Sequence, residues 1–186
     1  MKRIKYITAF VCFILIIILG VNTVNGINRA IYPTKYSQYV EKYCEQYGVE
    51  LKLAYAVIKT ESNFDPSALS SADAKGLMQL TDDTFYWLQY RKGVKGSMNA
   101  EALYDPETNL DYGIYLLSYL SQRYNGDYKL VLSAYHAGVG SVASWLSDSE
   151  YSDDGITLKN IPYADTKNYV SKVNKNIERY SKIYNF

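Results

Sequence analysis

The sequence predicts an all-α domain behind an apolar N-terminal helix, on three observations. Apolar residues recur three and four apart through most of residues 35–184, and strand-type alternation is scarcely visible. The runs are separated by residues that start and stop helices: Thr81, Asp105-Pro106 and Asp127 at starts, Gly48 and Gly126 at stops. The chain of 186 residues is long enough for one hydrophobic core and too short for two ordinary domains with a linker.

Lys2, Arg3 and Lys5 precede an almost unbroken apolar run from Tyr6 to Val21. Basic flank followed by apolar run is the pattern of an export signal, and its length approaches the roughly 17 residues that a membrane span needs. The weak small-residue cleavage pattern in the following NTVNGINRA favours an uncleaved signal-anchor over a cleaved signal, which would leave a secreted domain. The basic flank predicts a cytoplasmic N-terminus with the rest outside, a single pass in the cell membrane. Residues 1–26 are thus read as signal-anchor, 27–35 as a tether and 36–186 as the folded domain. Cys12 lies inside the apolar run without the small residues that precede a lipidated cysteine.

The first domain helix, Lys35 to Tyr47, carries Tyr36, Tyr39, Val40, Tyr43, Cys44 and Tyr47 at helical spacing and stops at Gly48. Glu50 to Asn63 is the second, ended by Asp65-Pro66. A Ser/Ala/Gly-rich loop leads to Gly76-Leu77-Met78-Gln79-Leu80, after which Thr81-Asp82-Asp83 opens a helix to about Lys92. Asp105 caps the next, with Pro106 at its first position and Leu110, Ile114, Leu117, Leu120 and Tyr124 on one face. Asp127 starts a helix to Gly138, and Gly140 to Leu146 is a short one. Residues 147–162 read as loop. Asp165 to Tyr184 closes the fold with Tyr169, Val170, Val173, Ile177, Tyr180 and Ile183 as its stripe.

Composition removes several functions. Twenty basic against 19 acidic residues leave no cationic excess for nucleic acid, so none is expected as a partner. Without Lys2, Arg3 and Lys5, 17 basic and 19 acidic residues remain, so the domain is mildly acidic. One His and two Cys exclude multi-His and Cys/His metal clusters; neither metal nor cofactor is expected. Cys44, the one cysteine after the apolar run, has no disulfide partner and reads as a small buried residue. Tyrosine is in excess, 21 against 5 Phe and 2 Trp, which suits half-buried faces that keep a hydroxyl in reach of water.

Glu61 is the informative position. Leu51, Ala54, Val57 and Ile58 define an apolar stripe, and Glu61 falls within it rather than on the Lys52/Lys59 side. Burial disfavours an ionised carboxylate, so such a group holds its proton near neutrality, as a general acid must. The periodicity equally allows a structural glutamate bonded to backbone or to a tyrosine. A Cys44/His136 peptidase has no activating context, and a Ser133/His136 hydrolase has no nucleophile-elbow motif.

AVIKTESNF (56–64), the loop 67–72, GLMQL (76–80), LYDPETNLDYGIYLLSYL (103–120), AYHAGVGSVASW (134–145) and IPYADTKNYVSKV (161–173) resemble, in order, the motifs of the soluble lytic transglycosylase catalytic domain. The resemblance spans about residues 36–180. It implies a lysozyme-like fold shared with goose-type lysozymes, and cleavage of the β-1,4 bond between N-acetylmuramic acid and N-acetylglucosamine in peptidoglycan strands. By the match Glu61 is the catalytic acid and base, with the muramyl C6 hydroxyl as nucleophile and 1,6-anhydro ends as product. Ser62 then positions the glutamate or the substrate. Gly76 and Gln79 match the family's Gly-Leu-Met-Gln motif, in which the Gln79 amide reads the N-acetyl group through both donor and acceptor, with Met78 lining the same cleft, and Tyr135 and Tyr169 stand near the glutamate.

Three residues depart from the family pattern. His136 stands for the Asn of Ala-Tyr-Asn-Ala-Gly, replacing its hydrogen bond or bringing pH sensitivity. Asp165-Thr166 stands for Glu-Thr. Thr81 occupies the place of an aspartate found in goose-type lysozymes, which favours the transglycosylase over a hydrolase that uses water, although Asp73 and Asp82 lie close enough in sequence to help hold one. A wall-binding module that kept the cleft without catalysis is the third reading.

Overall fold

A computed structural model describes residues 2–186, with side chains described from residue 13 onward except residue 21. Among these residues the chain forms α1 (Lys2–Ile31), α2 (Ser37–Tyr47), α3 (Leu51–Glu61), α4 (Asp82–Arg91), a 3₁₀ turn (Ala100–Tyr104), α5 (Pro106–Arg123), α6 (Tyr128–Ala137), α7 (Val139–Leu146) and α8 (Ala164–Tyr184). No β-strand occurs among them; Lys75 makes isolated antiparallel bridges to Leu69 and Leu80.

The starts and stops follow the local chemistry read from the sequence. Asp105 and Thr81 each accept the backbone N–H of the third residue on, Thr108 and Thr84. The Asp127 carboxylate accepts the N–H groups of Lys129 and Leu130. Gly48 ends α2 in the left-handed region. Some boundaries differ from the sequence expectation: α2 starts at Ser37, not Lys35, because Tyr36 turns left-handed (φ 59°). α3 stops at Glu61 because Asn63 and Phe64 turn left-handed (φ 52° and 67°) ahead of Asp65-Pro66. Ala100–Tyr104 coils into a 3₁₀ turn begun by the Asn99 side chain on the Glu101 N–H. The stretch expected as a tether is helical to Ile31. The side chains of Lys2, Arg3, Lys5 and Cys12 lie outside the described residues, while Phe13–Ile31 is long and apolar enough to cross a membrane.

α3 is the central helix. Leu53 through Ile58 are buried without interruption, so it is covered nearly all round rather than on one stripe, with α8 running along it and α2 beside it. α5 packs against α2 and α6, and α6 against α7 and α8. Two groups of tyrosines bear on the core, apart from exposed ones such as Tyr86, Tyr90 and Tyr163. Tyr55, Tyr112 and Tyr180 are fully buried, against the expectation of half-wet faces, and the Tyr55 hydroxyl has no hydrogen-bond partner. Tyr36, Tyr39, Tyr47, Tyr115 and Tyr119 lie half-buried at the core margin as expected.

Candidate active site

The glutamate ends the central helix, where its carboxyl leaves the core and meets a cleft. The cleft, about 480 Å³, is lined by Glu61, Ser70, Gln79, Thr81, Tyr135 and His136, with α5 contributing Leu116. Protein atoms crowd the carboxyl, and burial raises its pKa to about 7. Two opposing effects are smaller: the Tyr169 hydroxyl donates to Oε1 at 2.7 Å, and Lys172 adds positive potential. Among the described residues Glu61 is the one carboxylate lining this cleft. Asp82 is drawn away by Lys75 at 2.5 Å, and Asp73 sits exposed in a left-handed turn.

One wall of the cleft is formed by Gln79 and Leu80 of the Gly76–Leu80 loop, which is held from behind by Asn109 and Ser62 and from within the cleft by Tyr135. Buried Asn109, in the first turns of α5, accepts the Met78 N–H at 2.8 Å and donates to the carbonyls of Lys75 and Leu103 at 2.9 and 2.8 Å. Gly76 lies against it at φ 73°, where a Cβ would come within 2.3 Å of Asn109 Nδ2 and of the Leu103 oxygen. Ser62 Oγ donates to the Leu77 carbonyl at 2.8 Å and accepts the Phe64 N–H at 3.1 Å, fastening the end of α3 to the same loop. Tyr135 donates to the Met78 carbonyl at 2.7 Å, so it braces the loop rather than the glutamate. Burial, with the negative potential of Glu61, holds that phenol well above its ordinary pKa and keeps it a donor.

Gln79 lines the cleft in a left-handed conformation (φ 50°) with both amide hydrogens engaged: Nε2 donates to Ala68 and Gly76 oxygens at 3.0 and 2.9 Å. Its oxygen alone remains to meet a ligand, where the sequence reading expected donor and acceptor together. Met78 corrects that reading further. Its side chain is fully buried, with Gly113 so close that a Cβ there would lie 2.4 Å from the sulfur, and it fills core instead of lining the cleft. His136 is exposed at the rim, with Nδ1 3.1 Å from Thr166 Oγ1 and its ring 4.6 Å from that of Tyr169.

A model of the transglycosylase SLT domain matches residues 38–156. The chain belongs to this family. The soluble lytic murein transglycosylase of Escherichia coli (strain K12) is 29% identical over 156 residues, covering 83% of this chain and 24% of that protein. Membrane-bound lytic murein transglycosylase C of Yersinia pestis (strain Pestoides F) is 34% identical over 170 residues, covering 78% of this chain and 47% of that one. Among solved structures, the Escherichia coli 70 kDa soluble lytic transglycosylase superposes with a TM-score of 0.74 at 27% identity, covering 83% of this chain and 25% of its own. An inactive Glu-to-Gln mutant of the Pseudomonas aeruginosa enzyme Slt gives 0.72 at 27% identity, with the same coverage. The chain spans between about a quarter and about half the length of these relatives.

The structure gathers Glu61, Gln79, Tyr135 and His136 of the matched region at one cleft, with Ser62 and Gly76 behind its wall, and Tyr169, beyond the matched residues on α8, bonds the glutamate. Sequence reasoning missed Asn109, whose signal was a polar residue on the apolar face of α5, one place before Leu110. It also missed Ser70, in a loop with no periodicity to read, and Thr84, a polar residue in the first turn of α4 with nothing in its spacing to mark it; both line the cleft. The cleft continues past Thr84, Leu116 and Tyr135 into a more apolar groove of about 340 Å³, lined by Trp87, Leu120, Val139 and Asp83. A larger cavity of about 640 Å³ lies apart, between the α5–α6 turn and residues 155–157; its one acid, Asp127, is occupied in capping α6.

Proposed function

We propose that this chain cleaves peptidoglycan strands between N-acetylmuramic acid and N-acetylglucosamine as a lytic transglycosylase. The observation that carries the reading is a single carboxyl group, poised near neutral pH as the one acid among the described residues that line its own cleft, with Asp83 in the more apolar groove beyond. Ordinary glycosidases need two carboxyl groups because acid and nucleophile, or acid and base, are separate. One suffices when the substrate supplies the nucleophile.

In this reading protonated Glu61 gives its proton to the glycosidic oxygen as the C1–O bond breaks. The resulting carboxylate, held by Tyr169, takes the proton of the muramyl C6 hydroxyl while that oxygen bonds to C1. Atoms balance without water, leaving a 1,6-anhydro end and a free 4-hydroxyl. The tether between C6 and C1 makes internal attack competitive with solvent. Family membership and the inactivity of a Glu-to-Gln mutant in a solved relative support the assignment. Ser62, Gly76, Tyr135 and Asn109 act on the loop that forms one wall of the cleft, the Gln79 oxygen accepts from an N-acetyl N–H, and His136 occupies the rim as a polar partner of Thr166.

Digestion of peptidoglycan followed by mass spectrometry tests this directly. The expected products are one water lighter than hydrolytic ones and absent with Glu61→Gln. Reducing ends alone would instead assign the chain to the lysozyme-type hydrolases, and an unchanged profile for Glu61→Gln would leave a binding module. We further propose that residues 1–26 anchor the chain, with the N-terminus cytoplasmic and the domain outside, a reading that rests on the basic flank and the apolar helix.

A further inference from the structure

We infer that the junction of α1 and α8 is a binding site for the phosphate headgroup of an anionic membrane lipid. A small cavity of about 190 Å³ opens there, lined by Asn25, Asn28 and Arg29 of α1 and by Arg179, Lys182 and Ile183 of α8. Three cations face one polar hollow with no acid among its lining residues. None of the three forms an ion pair among the described residues. Glu178, the acid next to Arg179, lines a separate depression with Lys129, Lys167 and Lys175. Like charges gathered without a counter-charge repel one another, so the site is satisfied by an anion with several acceptor oxygens, flanked by two amides that donate to it.

Depth selects the anion. Helix rise is about 1.5 Å per residue, so Asn25 and Arg29 stand about 6 and 12 Å beyond Val21, the last residue of the apolar run. The headgroup layer occupies roughly the 5–8 Å outside each face of the hydrocarbon core. The cavity therefore lies at and just above that layer when the Tyr6–Val21 run takes up the hydrocarbon core; the Phe13–Ile31 stretch would instead put Asn25, Asn28 and the Arg29 charge inside the bilayer, which is costly. Arg29 stands 5.8 Å from the Tyr184 ring centre, Tyr184 donates to the Tyr32 carbonyl at 2.6 Å, and Tyr180 donates to the Pro33 carbonyl at 2.9 Å. These bonds fix α8 to the exit of α1, so a lipid bound in the cavity orients the whole domain on the membrane. The inference rests on the proposed anchor and is independent of the proposed chemistry.

The full chain in nanodiscs tests it, with hydrogen exchange of residues 22–31 and 176–186 as the readout. Phosphatidylglycerol at about a third of the lipid should slow exchange there at least roughly tenfold relative to pure phosphatidylcholine, with the effect shrinking in high salt. Arg29→Gln/Arg179→Gln/Lys182→Gln should abolish the lipid dependence while keeping the melting transition and wall cleavage, and Arg29→Lys/Arg179→Lys should restore most of it. Equal exchange in the two lipids, or a lipid effect untouched by the triple substitution, overturns the site. The same protection from inorganic phosphate in phosphatidylcholine discs overturns the lipid as its source. A chain that stays soluble without discs overturns the anchor and this inference together, whereas an anchored chain with no lipid preference overturns this inference alone.

Discussion

Glu61 keeps its proton because desolvation outweighs the Tyr169 hydrogen bond and the Lys172 charge, and this ordering has two measurable consequences. The pKa is raised on folding, so between its unfolded value near 4.5 and about 7 the native state binds more protons than the unfolded one. The stabilisation is complete below about 4.5 and is lost as pH rises through about 7. Glu61→Gln should therefore melt higher than the wild type above pH 7, by on the order of 2 kcal/mol, and show little gain at pH 4.5, while cleavage disappears. A lower melting temperature at both pH values would make the carboxylate a structural anchor. Tyr169→Phe removes the hydroxyl that favours the ionised form. The alkaline limb of kcat/KM should then move upward in pH while kcat falls, because the carboxylate is less well held after proton transfer; an unmoved limb would place the phenol outside the titration. Cys44 carries no such chemistry. Burial pushes its thiol up to about 12, and iodoacetamide should label it only after denaturation.

Single elements position the cleft through a few side-chain bonds to one loop. Asn109, presented by the Asp105-capped start of α5, is the hub, since three backbone groups of buried segments depend on its amide. Asn109→Ala should cost about 2–4 kcal/mol in urea unfolding, because each group left unpaired in the interior costs about 1–3 kcal/mol and the loop relaxes in part. Cleavage should fall with it even where the domain stays folded, because Gln79 and the Tyr135 contact ride on that loop. Gly76→Ala should be at least as damaging: its Cβ overlaps Asn109 and a backbone oxygen, and the left-handed backbone disfavours a side chain. An Asn109→Ala protein with wild-type stability and activity would show that the loop holds its shape without the hub.

At the scale of the molecule, α3 lies between α2 and α8 with its last residue opening on the cleft, so a helix buried nearly all round delivers a carboxyl to the surface at one point. The helical fold was legible in the sequence because its signals are local. Thr81, Asp105 and Asp127 cap helices through bonds within three residues, and stripes such as Leu110, Ile114 and Leu117 need only the helical period to declare a buried face. Glu61 was legible for the same reason, as an acid out of place on an apolar stripe. The motifs extended the reading to Gln79, Tyr135, His136 and Tyr169, which stand at one cleft, but they did not say what each touches. That Tyr169 rather than Tyr135 holds the glutamate, that the Gln79 hydrogens are spent on backbone, and that Met78 faces the core beside Gly113 are contacts between elements distant in the chain. The raised pKa belongs to the same class. Periodicity determined that an acid points inward; how far burial outweighs one phenol and one lysine is decided where α3, α8 and the Gly76–Leu80 loop converge, because desolvation is a sum over neighbours that only the folded chain brings together.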